Sequence, residues 1–184
     1  VISIQSSAGF GKTYCALACA LELVFKQKLF NKIYIIKPTV DVGAKELGFL
    51  PGTVDSKIDP YFRNIHDLLL KLHDKRPVNK AFKKDSTEDE KLSIECLNKK
   101  YIEYLPINFL RGANIENAVC ILDEFQQYTR DEARTILSRF GENCKVFITG
   151  DVQQIDNVYV NEENNALNWV VKLFKNNKNY AHIV

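Results

Sequence analysis

The residues best suited to chemistry in this 184-residue chain form a glycine-rich stretch near its start, Gly9-Phe10-Gly11-Lys12-Thr13. Glycines let backbone N–H groups turn inward toward phosphate oxygens, and a following helix adds a favourable dipole. Lys12 would reach the β- and γ-phosphates, and the Thr13 hydroxyl would ligate Mg²⁺. We therefore predict a nucleotide-binding loop with contacts from Ser7, Ala8, Gly9, Phe10, Gly11, Lys12, Thr13 and Tyr14.

The first position of this loop departs from the usual phosphate-loop pattern, G-x-x-x-x-G-K-[ST]. The chain has Ser6 where the pattern has glycine. Either Ser6 adopts a backbone conformation usually left to glycine, or the turn differs slightly. A chance glycine-rich turn is the alternative, but the apolar residues before the loop and the helical pattern after it favour a phosphate loop.

Two acids form the second candidate for chemistry. Asp123 and Glu124 directly follow the apolar run 118–122. Because ligands of parallel sheets bind beyond the carboxyl ends of the strands, Asp123 could hold Mg²⁺ through water and Glu124 could polarise an attacking water. An acid after a strand is common by itself, so this prediction depends on its pairing with the loop at 6–13.

A third polar segment, Thr149-Gly150-Asp151-Val152-Gln153-Gln154, follows the apolar run 145–149. Gln154 could contact the γ-phosphate and report its presence, since an amide both donates and accepts hydrogen bonds without changing charge. An ordinary strand-to-loop turn is the alternative interpretation.

The elements that must position these residues alternate between two patterns. Short apolar runs predict strands, and apolar residues at helical spacing predict helices. This alternation predicts an α/β fold, with a parallel sheet covered by helices on both faces. Strands are predicted at 1–4, 33–36, 118–122, 145–149 and 180–184, and helices after the loop and at 59–73, 130–140 and 162–175.

Length and composition fit one globular domain, 1–184. Hydrophobic residues make up 46% of the chain and charged residues 26%, which excludes collagen-like, coiled-coil and fully disordered classes. Lys plus Arg number 25 against 23 Asp plus Glu, a net charge of +2 that is too small to indicate nucleic-acid binding. The polar stretch 74–100 is predicted to be a surface insertion. Because Met is absent and the chain starts in an apolar strand, we expect residues to be missing upstream. We expect them to be missing at the other end as well, because 180–184 has the pattern of a strand cut short.

The five cysteines form no C-x-x-C pair and no zinc-ligand spacing with the three histidines. We interpret them as reduced core residues of a cytoplasmic protein. No apolar run reaches the roughly 18 residues of a membrane span, so no membrane partner is expected. The cysteines are Cys15, Cys19, Cys96, Cys120 and Cys144.

The chain as a whole resembles the PhoH family, the phosphate-starvation-inducible P-loop ATPases. The resemblance covers about residues 1–156 and consists of several motifs in family order, which makes it far more specific than the phosphate loop alone. The matching stretches are Ala8 to Thr13, Lys37 to Gly43, Leu47 to Gly52, Lys57 to Tyr61, Leu110 to Gly112, Ile121 to Gln126 and Thr149 to Asp156.

This resemblance implies a single RecA-like P-loop NTPase domain, similar to the first lobe of superfamily 1 helicases. In that fold the strand ending at Thr149 lies between the strands that carry Lys12 and Asp123, which would put Gln154 beside the γ-phosphate. Phe125 and Gln127 depart from the family, which often has Ala and Asn there. The family's usual arginine-bearing segment would lie beyond the last residue of the chain.

The resemblance also implies a nucleic-acid role, with RNA or single-stranded DNA as partner. Lys37, Pro38 and Thr39 could contact a nucleic-acid backbone, or they could simply cap a strand. Arg111 and Arg139 are candidates for reaching a γ-phosphate across a subunit boundary, or they could form surface ion pairs. Because one lobe has no second lobe to close over its nucleotide, we expect a homo-oligomer, such as a ring.

The function predicted from the sequence is Mg²⁺-dependent ATP binding and hydrolysis, with Lys12, Glu124 and Gln154 as catalytic residues and Thr13 and Asp123 on the metal. An ATP-gated module that binds or assembles without turnover is the main alternative. A third class, phosphoryl transfer to a small molecule, is disfavoured because Glu124 is better suited to activating water.

Overall fold

The computed structural model of the protein describes residues 1–38, 65, 67–69, 71–72, 101–107, 110 and 112–184. Several predictions concern residues outside these ranges. They are the insertion at 74–100, most of the helix at 59–73, and the candidate contacts Thr39 and Arg111.

The described strands form one six-stranded sheet in which every pairing is parallel. The strand order is β3-β2-β4-β5-β1-β6, so β5 lies between β1 and β4, as the resemblance implied. The strands are β1 (Ile2–Gln5), β2 (Lys32–Lys37), β3 (Ile102–Pro106), β4 (Ala118–Leu122), β5 (Cys144–Gly150) and β6 (Ala181–Ile183).

The two helices after β4 and β5 are shorter than the apolar spacing predicted. Thr129 starts α2 with a capping box, in which its hydroxyl accepts from the Glu132 N–H and the Glu132 carboxylate accepts from the Thr129 N–H. Asn165 caps α3 by accepting from the Asn168 N–H, so that helix starts at Ala166 and not at 162. The described helices are α1 (Lys12–Leu21), which continues as a π-helical turn (Glu22–Lys26), α2 (Arg130–Leu137) and α3 (Ala166–Phe174), with a 3₁₀ turn at Phe125–Gln127.

Helices cover both faces of the sheet, and the central strand β4 is therefore buried on both sides. Val119 and Ile121 pack in one core cluster with the buried face of α1. The alternate residues Ala118, Cys120 and Leu122 pack in a second cluster with α2 and α3. This arrangement is the predicted α/β, RecA-like fold.

The edge strand β3 was not predicted from the sequence. It pairs in parallel with β2, and only its end residues Ile102 and Pro106 are buried. Its middle is partly exposed, and Glu103 there forms an ion pair with Lys32 of β2. An edge strand needs one covered face, so it lacks the continuous apolar run that identified β2, β4 and β5.

The prediction that all cysteines belong to the core is wrong for α1. Cys15 and Cys19 are exposed, whereas Cys120 is buried and Cys144 is partly buried. The buried stripe of α1 consists of Ala16, Leu17, Ala20 and Leu21, so positions 15 and 19 face outward. Cys96 lies outside the described residues.

Among the helices described here, none combines the length and the apolar content needed to cross a bilayer.

Candidate nucleotide-binding site

Three polar segments meet at one edge of the sheet because β4, β5 and β1 are neighbours that run in the same direction. Gln5 at the end of β1 pairs with Gly150 at the end of β5. Leu122 at the end of β4 pairs with Ile148 of β5. The segments that follow these strands start with Ser6, Asp123 and Asp151, so residues far apart in sequence converge, as ligand sites of open α/β sheets do.

The loop after β1 owes its shape to two glycines. Gly9 and Gly11 have φ angles of 82° and 80°, the left-handed region that costs a residue with a Cβ about 1–2 kcal/mol. Ser6 is not among the residues with positive φ, and its N–H lies 3.4 Å from the Gly150 carbonyl oxygen. The turn therefore differs from a loop that begins with a left-handed glycine.

Lys12 is the first residue of α1, directly after the left-handed Gly11. Its Nζ donates to the Ser6 carbonyl at 2.6 Å and to the Ser7 carbonyl at 2.9 Å. No side chain caps the start of α1, so no capping side chain occupies its first-turn N–H groups. These N–H groups lie at the loop together with the Lys12 amine. This combination of a helix N-terminus and a cation suits a phosphate.

The Asp123 carboxylate contacts side chains from three other elements, α1, β5 and β2. Its buried carboxylate accepts from the Thr13 hydroxyl at 2.8 Å and from the Thr149 hydroxyl at 2.6 Å, both at Oδ1. Lys37, at the end of β2, places its Nζ 3.9 Å from Oδ2 of the same carboxylate. The two predicted metal residues, Thr13 and Asp123, are thus in direct contact.

The donor set at this point is one carboxylate and two hydroxyls. In the described part of the chain, no three His, Cys, Asp or Glu side chains form a metal-binding group. Mg²⁺ is commonly held by one or two protein oxygens, with water and phosphate oxygens as its other ligands. The Thr13 and Asp123 oxygens therefore fit a magnesium ion that arrives with a nucleotide.

Glu124 has an unusual backbone conformation, φ 52° and ψ 44°. A left-handed glutamate is strained, and such strain persists only where the surroundings hold it. The Gln126 side chain donates from Nε2 to Glu124 Oε2 at 2.7 Å, and the Gln127 N–H donates to the Glu124 carbonyl at 3.0 Å. The 3₁₀ turn after the two acids thus fixes both the backbone and the carboxylate of Glu124.

Gln126 and Gln127 are the site residues for which the sequence predicted no role. They are 0% and 5% exposed. Gln126 Oε1 accepts from the Asp151 N–H at 3.1 Å, and both side chains donate to the Gln154 carbonyl, at 2.9 and 3.0 Å. Two adjacent amides one residue after an acidic pair were the available signal, because buried amides need partners.

A comparison with known protein families decides the identity. The whole chain, residues 1–184, matches the family model described as PhoH-like protein. The chain belongs to the PhoH family.

Curated PhoH relatives agree with this assignment. Protein PhoH2 of Thermobispora bispora is 33% identical over 183 residues, which is 100% of this chain and 38% of that protein. Protein PhoH2 of Bacillus subtilis is 32% identical over 175 residues, 95% of this chain and 37% of that protein. The PhoH-like protein of Bacillus subtilis is 38% identical over 149 residues, 81% of this chain and 41% of that protein. The chain therefore spans about two fifths of the length of these relatives.

Other predicted residues of this PhoH chain lie at varying distances from Asp123. The Gln154 side chain is exposed, while its carbonyl is held by the two glutamines. Arg139 follows α2, and its carbonyl accepts from the Ile115 N–H just before β4 begins. Arg139 therefore lies at the opposite edge of the sheet from Asp123. Phe10 is 78% exposed at the tip of the loop.

Proposed function

We propose that this PhoH-family chain binds ATP with Mg²⁺ and hydrolyses it. Membership of the family suggests nucleotide binding, and the proposal adds hydrolysis. The observation that carries the proposal is the 2.8 Å contact between the Thr13 hydroxyl and the Asp123 carboxylate, two residues 110 positions apart. It joins the end of a phosphate loop to the acid that follows β4, the two protein contacts of a nucleotide-bound magnesium ion in P-loop NTPases.

Each residue of the loop has a defined task in this proposal. The N–H groups of residues 7–14 bind phosphate oxygens, and Lys12 leaves the Ser6 and Ser7 carbonyls to pair with the β- and γ-phosphates. Thr13 and Asp123 would hold Mg²⁺, which supplies neutralisation of the phosphate charge when it is bound. Catalysis would come mostly from positioning and from charge stabilisation.

Glu124 is the residue that would act on water. Its carboxylate follows Asp123 directly and is oriented through Oε2 by Gln126, so it can accept a proton from an attacking water. Gln154 would sense the γ-phosphate from the segment after β5. The Gln126 amide that bonds Glu124 also donates to the Gln154 carbonyl at 2.9 Å, which supports placing Glu124 and Gln154 at the same site.

The partners remain proposals that follow from the family resemblance. RNA or single-stranded DNA is the proposed nucleic-acid partner, a homo-oligomer is the proposed assembly, and the cytoplasm is the proposed location. Lys37 lies near Asp123 and its side chain is 19% exposed. This position favours a role for Lys37 at the nucleotide site over a nucleic-acid contact. Pro38 is buried at the end of the same strand.

An ATP-gated module without turnover is the second candidate, and one observation favours it. Among the described residues, no arginine donates a hydrogen bond to Asp123 or Glu124, and Arg139 lies at the opposite edge. An arginine that stabilises the transition state often supplies a large part of the rate in P-loop enzymes. A single chain without one would bind ATP and hydrolyse it slowly until a neighbouring subunit contributed the arginine.

The test is ATP turnover measured with Mg²⁺, with and without RNA or single-stranded DNA, together with equilibrium ATP binding and native mass. Lys12→Ala should lose binding and turnover, whereas Glu124→Gln should keep binding and lose turnover. The exposed residues Lys172 and Glu142 offer matched controls, Lys172→Ala and Glu142→Gln. Turnover in Lys12→Ala and Glu124→Gln equal to that of the parent would refute the proposal. Tight ATP binding without turnover under every condition would select the gated module.

A further inference from the structure

Among the described hydrogen bonds, the carboxylate of Glu124 is held by one side chain, that of Gln126. The Gln126 Nε2 group donates to Glu124 Oε2 at 2.7 Å and to the Gln154 carbonyl at 2.9 Å, so both of its N–H bonds are used. The Oε1 atom accepts from the Asp151 N–H at 3.1 Å. A fully buried amide with these three partners has one stable orientation. If the amide were turned over by 180°, its oxygen would face the Glu124 and Gln154 oxygens and its N–H groups would face the Asp151 N–H.

Gln126 packs so closely against the end of β5 that only glycine fits at position 150. A Cβ at Gly150 would lie 2.5 Å from Gln126 Oε1 and 2.9 Å from Leu167 Cδ2. Contacts this short do not occur, so the amide could not keep its place beside a larger residue. The close approach of β5 is therefore part of what fixes Gln126.

We propose that Gln126 is a positioning residue that sets the orientation of the Glu124 carboxylate and ties it to the backbone of segment 151–154. This inference rests on the proposed ATPase function and adds a residue to it. Because one amide group bonds Glu124, Asp151 and Gln154, the acid and the segment that carries the γ-phosphate sensor move as one unit. A neutral amide does this without adding a charge beside the acid.

The adjacent Gln127 provides a matched comparison. It is also a buried glutamine, and it also donates to the Gln154 carbonyl. Its other side-chain bonds go to the next part of the loop, where Oε1 accepts from the N–H groups of Asp156 and Asn157 at 2.9 and 3.0 Å. Among the described hydrogen bonds, its side chain makes none to the Glu124 carboxylate. A general loosening of the loop would follow from either substitution, but a specific effect on Glu124 would follow only from a change at Gln126.

The first readout needs no nucleotide. Gln126→Ala removes the acceptor of the Asp151 N–H, so amide hydrogen exchange at Asp151 should become faster while exchange at Asp156 and Asn157 changes little. Gln127→Ala should give the reverse pattern. Loss of protection across all three amides in both variants would overturn the proposed division between the two side chains.

The second readout separates ATP binding from turnover. Gln126→Ala should lower kcat by about tenfold or more, because misorienting a general base forfeits part of its contribution, which is roughly 10²–10⁴-fold. The ATP dissociation constant should stay within about twofold of the parent, because uniform binding is untouched. Gln127→Ala should lower thermal stability and lower kcat clearly less than Gln126→Ala does, because its side chain does not contact the Glu124 carboxylate among the described hydrogen bonds. A kcat loss of equal size in both variants would overturn the proposal.

Two further variants keep the test decisive. If Gln126→Ala does not fold, Gln126→Met keeps about the same length and removes the donor to Glu124 without adding a charge, and a parental kcat in this variant overturns the proposal. In a Glu124→Gln background, Gln126→Ala should cause no further loss of residual turnover. A parent that never hydrolyses ATP defeats the proposed function itself, whereas an active parent with active Gln126 variants defeats only this inference.

Discussion

The two sides of the candidate site are built in different ways. On the phosphate-loop side, the backbone is shaped by the left-handed Gly9 and Gly11, Phe10 is exposed, and Lys12 bonds only carbonyls of its own loop among the described contacts. On the acid side, two buried glutamines link the residues after β4 to the segment after β5.

This difference indicates which side a ligand must organise. The loop side has few contacts of its own, so under the proposed function we expect it to gain order when phosphate oxygens satisfy its N–H groups. The acid side has its hydrogen bonds already in place, as expected where a carboxylate must be oriented before the reaction starts. Substitutions on the loop side should therefore change nucleotide affinity, and those on the acid side should change stability and turnover.

The largest effect is expected from Gly150→Ala on the acid side. The new Cβ would displace Gln126, and forced repacking of a filled interior usually destabilises a protein by about 1–3 kcal/mol. Chemical denaturation should show this loss in the free energy of unfolding, and ATP turnover should fall with it. A variant with parental stability would mean that the acid side is as loosely packed as the loop.

Gly9→Ala makes the same substitution on the loop side, where no atom lies within 4 Å of the new Cβ. The backbone at φ +82° becomes strained by about 1–2 kcal/mol, and ATP affinity should fall because the loop N–H groups turn away from the phosphates. Gly112→Ala, at φ +85° and equally open, is the matched control. It should lose similar stability and keep parental ATP affinity. An equal drop in affinity in both variants would break the comparison.

The two hydroxyls on Asp123 allow a finer comparison. Thr149 is buried and Thr13 is partly exposed, and both donate to Oδ1. Thr149→Val should lower the free energy of unfolding by about 1.5 kcal/mol, the lower end of the range for a hydrogen bond to a charged group. Thr13→Val should lower the free energy of unfolding less than Thr149→Val does, and it should lower Mg²⁺-dependent turnover more. The reverse order, measured by denaturation and by Mg²⁺ titration of turnover, would contradict the assignment of Thr13 to the metal.

The smallest effect on function is expected from the opposite edge of the sheet. A hydrogen bond from the Cys120 thiol lowers the pKa of Cys144 to about 7, so the Cys144 thiolate should form as pH rises through that value. Cys120→Ala removes this donor, which should raise the pKa and move Cys144 alkylation to higher pH. Mass spectrometry would separate this thiol from the exposed Cys15 and Cys19, and ATP turnover should not change. A large change in turnover would show that the two edges are coupled.

The sequence predicted the parts of the molecule that follow from repeated local patterns. The β4 run 118–122 was predicted with its observed bounds because a strand buried on both faces is apolar throughout. The meeting of Thr13 and Asp123 was expected because parallel strands end at one edge. The order of β1, β5 and β4 came from the family resemblance.

What the sequence did not predict depends on neighbours that are distant along the chain. β3 is recognisable only by its pairing with β2. The roles of Gln126 and Gln127 arise from the segment after β5, which lies 25 to 30 positions away. Cys15 and Cys19 were assigned to the core from residue type alone, although the positions of Ala16 and Leu17 on α1 already turn them outward.

The most direct test of the central claim is a crystal structure of Glu124→Gln with Mg²⁺ and ATP. The account predicts the metal within ligand distance of the Thr13 hydroxyl and close to Asp123, directly or through water. It also predicts the γ-phosphate within reach of Lys12. Nucleotide bound away from the loop at 6–13, or a metal that contacts neither residue, would contradict it.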